Sequence, residues 1–166
     1  MNRHVTAQNL GAWLLKGNAD VGDLDARLAA DPWVGGWCVR PGYRVRMMTG
    51  GQPVVLWASG SRRARGYGVW GVGRVTGPPV PGRPGQPWTV PLDLAVLDPP
   101  DRVPRAVLRA DPRLVGAEVL RQPMGANPSW LTVAEYAALC EHLPPPGDRT
   151  GRDQPPTGRH GPVGAG

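Results

Sequence analysis

The segment 53–75 constrains the fold of this chain more than any other stretch. It begins with an apolar run at residues 54–57, breaks at Ser59-Gly60, and resumes from Tyr67 as a run in which glycine alternates with Val, Trp and Arg. Two apolar runs of strand length separated by a short loop predict two neighbouring strands. Glycine inside a strand marks tight curvature or the close approach of a ligand or another backbone. We therefore expect this pair in a small, curved sheet.

The loop between these two predicted strands is basic, because it carries Arg62, Arg63 and Arg65. The whole chain has a formal net charge of +6, and no acidic residue lies between Asp31 and Asp93. A positive field in the middle of the chain favours a polyanionic partner. The three loop arginines then predict contacts with phosphates, which fix position without selecting a base. The alternatives are a solvated basic turn and an arginine-rich composition without function.

The rest of the chain predicts short strands and short helices around one core, the pattern of a small α+β domain. We expect strands over residues 10–16, 34–39, 88–97 and 117–120, and helices over residues 20–30, 40–48, 103–110 and 133–143. Thr132 is expected to cap the last helix, with Glu135 completing a capping box. Pro91 within a predicted strand indicates an edge or a bulge. Residues 144–166 are rich in Pro and Gly, which predicts a disordered tail behind a domain of residues 1–143.

Several function classes find no support in the residues. Cys38 and Cys140 lack the spacing of a zinc site or a redox pair, so we expect reduced thiols in a cytoplasmic protein. No apolar run approaches the ~20 residues of a membrane span. His4, His142 and His160 lie near the ends without a nucleophile nearby, so we expect no catalytic, metal or cofactor site.

Six ordered segments carry a family resemblance. They are AWLLKGN at residues 12–18, WCVRPGYR at 37–44, VVLWASG at 54–60, GVWGVGRVTGPP at 68–79, DPRL at 111–114 and NPSWLTVAEYAAL at 127–139. Together they resemble an EVE domain, a member of the PUA-like superfamily and a structural relative of the YTH domain. Gly51-Gln52 departs from the Gly-Asp that such domains usually carry before this strand.

The resemblance implies a small, mixed, barrel-like sheet of five or six strands surrounded by short helices. It also implies an aromatic pocket for a flipped or unpaired nucleobase. EVE domains are linked to modified cytosines in DNA, whereas their YTH relatives bind methylated adenine in RNA. The expected partner is accordingly a nucleic acid with a modified base, DNA rather than RNA. Whether the protein acts alone or beside a nuclease encoded nearby stays open.

The resemblance also places individual residues in that pocket. Trp37 matches one aromatic wall and Trp88 a second, while Lys16 and Asn18 match a Lys-x-Asn segment that contacts the edge of the base. Tryptophan faces stack on bases, and a methylated or cationic base adds dispersion and cation–π attraction.

Some of these assignments have a structural alternative. Asn18 either contacts the base or caps a turn, and Ser59 either bonds the base or only its own loop. For Trp37, Trp57 and Trp88 the alternative is ordinary core packing; within the pocket, Trp57 would form the floor. Trp13, Trp70 and Trp130 are expected in the core.

Two functions of different classes follow. The first is a non-catalytic module that recognises a modified nucleobase. The second is a small hydrolase of the related ASCH type, for which Lys16 is the one credible catalytic group and has no accompanying glutamate. An RNA-binding or protein-interaction domain is a further alternative.

Overall fold

The computed structural model describes residues 3–60 and 66–145, which form a mixed α+β arrangement. The strands are β1 (Leu10–Asn18), β2 (Trp33–Val39), β3 (Pro53–Ser59), β4 (Gly68–Val75), β5 (Trp88–Val96), β6 (Val103–Pro104) and β7 (Ser129–Thr132). The helices are α1 (Leu24–Ala30), α2 (Tyr43–Met47), α3 (Arg105–Ala110), α4 (Glu118–Arg121) and α5 (Val133–His142), with a 3₁₀ turn at Pro99–Asp101. No helix in the described part of the chain has the length and apolar character needed to cross a bilayer.

One sheet joins all the strands, in the order β2-β5-β4-β3-β1-β7, with β6 also paired to β4. β1 and β3 are parallel, and the other neighbours are antiparallel. The two strands predicted from segment 53–75 are β3 and β4, paired from Pro53 opposite Arg74 to Ala58 opposite Gly68. Segment 53–75 thus lies at the centre of the sheet.

The sheet is open, which corrects the expectation of a barrel. β2 and β7 are the two ends of the strand path, and no ladder joins them among the residues that the structure describes. A single backbone hydrogen bond, from Arg40 N–H to the Asn127 carbonyl at 3.4 Å, links the chain just beyond β2 to the chain just before β7. Pro41 and Pro128 follow these two residues and have no N–H to extend a ladder. The edges therefore approach each other without closing.

Both faces of the sheet are covered. Alternate residues of a strand point to opposite faces, and in β1 Trp13 and Leu15 join one core cluster while Ala12 and Leu14 join the other. The first cluster includes residues of α1 and α2, and the second includes residues of α3 and α5. Burial on both faces explains the unbroken apolar run in β3. Trp13, Trp70 and Trp130 are buried, as the sequence predicted.

Two predicted elements differ in the structure. Residues 117–120 were expected as a strand, but they belong to helix α4, since a short apolar run cannot by itself distinguish the two. The helix predicted from residue 20 begins only at Leu24, because the Asn18 side chain accepts the Asp20 N–H and holds the preceding residues in a turn. Pro91 lies in β5 between β4 and β2, at a register shift of the β2–β5 ladder in which β5 carries one extra residue, so the bulge and not the edge explains it.

The sequence predicted the last helix closely. Thr132 caps α5 by accepting the Glu135 N–H at 3.1 Å, and the Glu135 carboxylate accepts the Thr132 N–H at 2.9 Å, which completes the capping box. Gln52, the departure from the family pattern, accepts hydrogen bonds from Trp13 Nε1 and Thr49 N–H. The tail predicted from residue 144 lies, beyond Pro145, outside the described residues.

Candidate functional site

A cavity of about 460 Å³ opens beside the end of β1, at the gap between the two sheet edges. Its walls come from β1, from the turn and helix α1 that follow, from β2, and from the loop before β7. The lining residues are Lys16, Gly17, Asn18, Val21, Gly22, Leu24, Arg27, Trp37, Cys38 and Asn127. Three of the residues predicted for the pocket, Lys16, Asn18 and Trp37, are thus brought together at one cavity.

Trp37 forms the buried wall. Its side chain is only 8% exposed, and its Nε1 donates to the Lys16 carbonyl at 3.2 Å, which fixes the orientation of the ring. Gly17 lies against the same ring: a Cβ at this position would be 2.9 Å from Trp37 Cζ2 and 3.0 Å from Leu24 Cδ2. A side chain at residue 17 would therefore displace the wall.

Lys16 joins β1 to the loop before β7. Its Nζ donates to the carbonyls of Pro123 and Gly125 at 3.3 and 3.2 Å. An ammonium group has three N–H donors, so one donor is left for a ligand. Burial lowers the pKa of Lys16 below its usual 10.5, an effect that the Glu118 carboxylate opposes.

Asn127 fixes the same loop from its other end. The Lys16 N–H donates to Asn127 Oδ1 at 3.1 Å, and Asn127 Nδ2 donates to the Lys16 carbonyl at 3.3 Å. The side-chain amide thus makes the hydrogen bonds to the Lys16 N–H and carbonyl that a neighbouring strand would otherwise make. These two hydrogen bonds hold the loop before β7 against β1 at the gap.

Asn18 caps a turn, which is the structural alternative that the sequence left open. Its Oδ1 accepts the Asp20 N–H at 2.9 Å, so the side chain caps a turn. Its Nδ2 makes no hydrogen bond within the described part of the chain, and the residue is exposed at the cavity. Ser59, opposite Asn18 in the β1–β3 ladder, donates from Oγ to the Gly17 carbonyl at 3.2 Å and does not line the cavity.

Two of the predicted aromatic residues lie elsewhere. Trp57 was considered as the floor of the pocket, but it is buried in the second core cluster, next to Leu14 and Val69. Trp88 was expected as a second wall, but it begins β5 opposite Val39, packs on the first core cluster and does not line the cavity. Strand alternation explains Trp57, since Leu56 and Ala58 occupy the face that carries the first cluster.

The residues on either side of the basic loop contact the turn that follows Asn18. Arg62, Arg63 and Arg65 themselves lie outside the described residues. Before the loop, the Ser59 carbonyl accepts the Ala19 N–H at 2.8 Å. After it, the Tyr67 hydroxyl donates to Asp20, in the turn that follows Asn18. The Tyr67 ring passes so close to Gly60 that a Cβ there would lie 2.3 Å from it.

The lining of the cavity is cationic and rich in donors. Lys16 and Arg27 carry positive charge, Asn18 and Asn127 supply amides, and no carboxylate is among the lining residues that the structure describes. The carboxylate that raises the pKa of Lys16 is that of Glu118, which does not line the cavity and accepts hydrogen bonds from Arg44 on both oxygens at 2.7 and 2.9 Å. Residues 3–60 and 66–145 contain no cluster of His, Cys, Asp and Glu that could hold a metal ion.

Among the lining residues that sequence reasoning did not assign to the pocket, three have a charged, amide or thiol side chain: Arg27, Cys38 and Asn127. Arg27 was seen only as part of a helix, Cys38 as a buried thiol and Asn127 as part of a turn. Arg27 and Asn127 reach the cavity through tertiary packing at the gap, which no local pattern encodes. The one local signal was Asn127 before a proline, because a residue before proline favours extended backbone at the end of a loop.

No family model and no curated protein matches the chain. Solved structures do resemble it. They include Rpa0253 from Rhodopseudomonas palustris, with 17% identity, a TM-score of 0.57, and coverage of 81% of this chain and 93% of that one. A hypothetical protein from Leishmania major has 18% identity and a TM-score of 0.58, with 82% and 96% coverage. PSPTO5229 from Pseudomonas syringae has 18% identity and a TM-score of 0.57, with 80% and 99% coverage. At such identities the likeness establishes a shared fold alone.

Proposed function

We propose that this protein is a non-catalytic module that binds a modified nucleobase, with modified cytosine in DNA as the first candidate. The observation that carries the proposal is the convergence of Lys16, Asn18 and Trp37 on one cavity. These residues come from β1 and β2, which are not neighbours in the sheet. The cavity volume of about 460 Å³ is within the range of ~300–1,000 Å³ that is typical of small-ligand sites.

The chemistry of the lining suits a base. Trp37 offers aromatic surface, on which a base can stack. Lys16 Nζ and Asn18 Nδ2 are donors, and the cytosine ring presents acceptors at its O2 and N3 atoms. A modified base fills more of the cavity than a plain one, so the wall discriminates between them. Arg62, Arg63 and Arg65 are proposed to hold the flanking phosphates, because the residues on either side of their loop bond to the turn that follows Asn18, a lining residue.

The hydrolase alternative requires a side chain that acts as a general base or as a nucleophile at the same cavity. Burial lowers the pKa of Lys16, which is the observation in favour of this alternative. Against it, Lys16 Nζ is bonded to two carbonyls, and Glu118 is occupied by Arg44 and by Ser129 Oγ at 2.7 Å. The binding function therefore remains the proposal, and turnover of the ligand would favour the alternative.

The test replaces Trp37 with Leu and compares binding to oligonucleotides with modified or plain cytosine. Leu keeps an apolar side chain against Gly17 but removes the aromatic surface, so ~1–3 kcal/mol of stacking with the base is lost. We expect the preference for the modified oligonucleotide to fall by about tenfold or more, while weak, salt-sensitive binding persists through the arginines. Fluorescence anisotropy at two salt concentrations measures both quantities.

Trp33→Leu is the matched control, because Trp33 begins the same strand and does not line the cavity. It should keep the preference of the wild type. Thermal melts of both variants establish that they are folded, since deleting a buried Trp side chain costs ~3–5 kcal/mol. A folded Trp37→Leu variant that still prefers the modified oligonucleotide would remove Trp37 from the binding site.

A further inference from the structure

Met124 is the most exposed large apolar residue that the structure describes. Its side chain is 96% exposed, whereas the next, Val80, is 60% exposed. A single exposed apolar residue is common on a protein surface, but a side chain of this size stabilises a contact when a partner buries it. Its position is therefore informative.

The loop that carries Met124 is fixed on both sides of it. Lys16 Nζ binds the carbonyls of Pro123 and Gly125, the two residues that flank Met124. The Gly125 N–H donates to the Gln122 carbonyl at 2.9 Å, which closes a tight turn. Met124 is thus held at the tip of a turn that is anchored by Lys16, a residue of the cavity lining.

This turn forms a ridge between two concave surfaces. On one side is the cavity with Lys16 and Asn127 in its lining. On the other is a second depression of about 310 Å³, whose lining includes Gln122 and Ala126. Asn127 is only three residues from Met124, a separation of at most ~11 Å along the chain. A rigid apolar tip therefore stands at the rim of the site proposed above for a base.

We propose that Met124 is a wedge that enters double-stranded DNA when a modified base leaves the stack for the cavity. The inference rests on the proposed function and extends it, because it assigns a duplex and not a single strand as the partner. Proteins that kink or open a duplex insert apolar side chains, Met among them, between base steps. Taking a base out of a duplex costs unstacking free energy, and an inserted side chain offsets part of it by filling the gap.

The experiment measures the affinity of wild type, Met124→Ala and Met124→Leu for one modified-cytosine oligonucleotide in two formats, single-stranded and duplex. Removal of a wedge should weaken duplex binding by about tenfold, because the unstacked step is left unfilled. Single-strand binding should stay within twofold of wild type, because no stack needs to be opened. Met124→Leu should restore duplex binding. Val80→Ala, which truncates the next most exposed apolar side chain at a residue that does not line the cavity, should change neither format.

A spectroscopic readout separates a wedge from a merely structural role. With 2-aminopurine beside the modified base in the duplex, wild type should raise the fluorescence of the probe as the step unstacks, and Met124→Ala should not. If Met124→Ala weakens binding to both formats equally, or to neither, the proposal that Met124 is a wedge is wrong. The proposed function still stands in that case, provided that the protein keeps its preference for the modified single strand. If wild type binds modified and plain oligonucleotides alike in both formats, the proposed function fails and the wedge fails with it.

Discussion

Arg27 is one of the cavity residues that no sequence pattern identified. It lines the cavity from helix α1, is exposed, and its guanidinium makes no hydrogen bond or ion pair with the residues described. Arg44, Arg102 and Arg113 are all paired with carboxylates. A planar cation without a partner at the rim of a site is suited to bind phosphate.

Replacing Arg27 with Ala should therefore affect a nucleotide and not a nucleoside. We expect Arg27→Ala to weaken binding of a modified deoxycytidine monophosphate by about tenfold, the value of one hydrogen bond to a charged group. Binding of the corresponding nucleoside, which lacks the phosphate, should be unchanged in calorimetric titrations. Arg109→Ala, which truncates an exposed arginine of α3, is the control and should bind both ligands as wild type does. Equal losses for nucleoside and nucleotide would show that Arg27 contacts the base or supports the helix.

Single residues show where sequence-based prediction succeeded at the site and where it stopped. Lys16, Asn18 and Trp37 could be proposed because they belong to segments that resemble a family with a pocket. The contacts of these residues could not be predicted, because Asn127 bonds the N–H and the carbonyl of Lys16 from 111 residues away in sequence. Trp57 and Trp88 show the converse error, since residue type alone does not decide whether a tryptophan faces a cavity or a core.

At the level of elements, local signals were sufficient wherever they had a unique meaning. The Thr132–Glu135 capping box predicted the start of α5, and the glycine-broken run predicted β3 and β4. Helix α4 was mistaken for a strand because its short apolar run does not distinguish the two. Its place in the fold is held by contacts outside that run, since Arg44 and Ser129 donate to the Glu118 carboxylate. The open sheet was missed for a related reason, because the pairing of edge strands is decided by contacts remote in sequence.

The capping box offers a prediction at this scale. Thr132→Ala removes the oxygen that accepts the Glu135 N–H, and loss of such a cap costs ~1 kcal/mol. We expect a fall in melting temperature of about 2–4 °C. Thr132→Ser keeps the hydroxyl and should melt close to wild type. If the Ser variant were as unstable as the Ala variant, the methyl group and not the cap would account for the loss.

For the whole molecule, the gap between the sheet edges is held by polar contacts in place of a strand ladder. Glu118 of α4 accepts from Arg44 of α2 and from Ser129 of β7, so one carboxylate connects three elements around the gap. The side chains of Arg44 and Glu118 are only 15% and 13% exposed. Removing one partner of a buried pair leaves the other charge uncompensated and is strongly destabilising.

The charge state of this carboxylate links stability to pH. Burial alone would raise the pKa of Glu118, but hydrogen bonds from Arg44 and Ser129 outweigh it and hold the pKa below the usual 4.5. A carboxyl with a lowered pKa in the folded state stabilises the protein above its unfolded pKa, and this contribution is lost as pH falls through the folded value. Hydrogen bonds from Arg113 and His142 likewise lower the pKa of Asp111, so it acts in the same direction.

Glu118→Gln should consequently cost ~3 kcal/mol of unfolding free energy at pH 7, and the difference from wild type should shrink as pH falls below about 4.5. The reason is that wild-type Glu118 becomes neutral in acid and then resembles the amide. Urea denaturation of both proteins from pH 7 to pH 2 measures this difference. Glu141→Gln is the control, because Glu141 pairs with Arg113 at the surface and is 63% exposed, where an ion pair contributes little. A difference between Glu118→Gln and wild type that stayed constant across the whole pH range would show that packing of α4, and not the charge of Glu118, holds the two edges together.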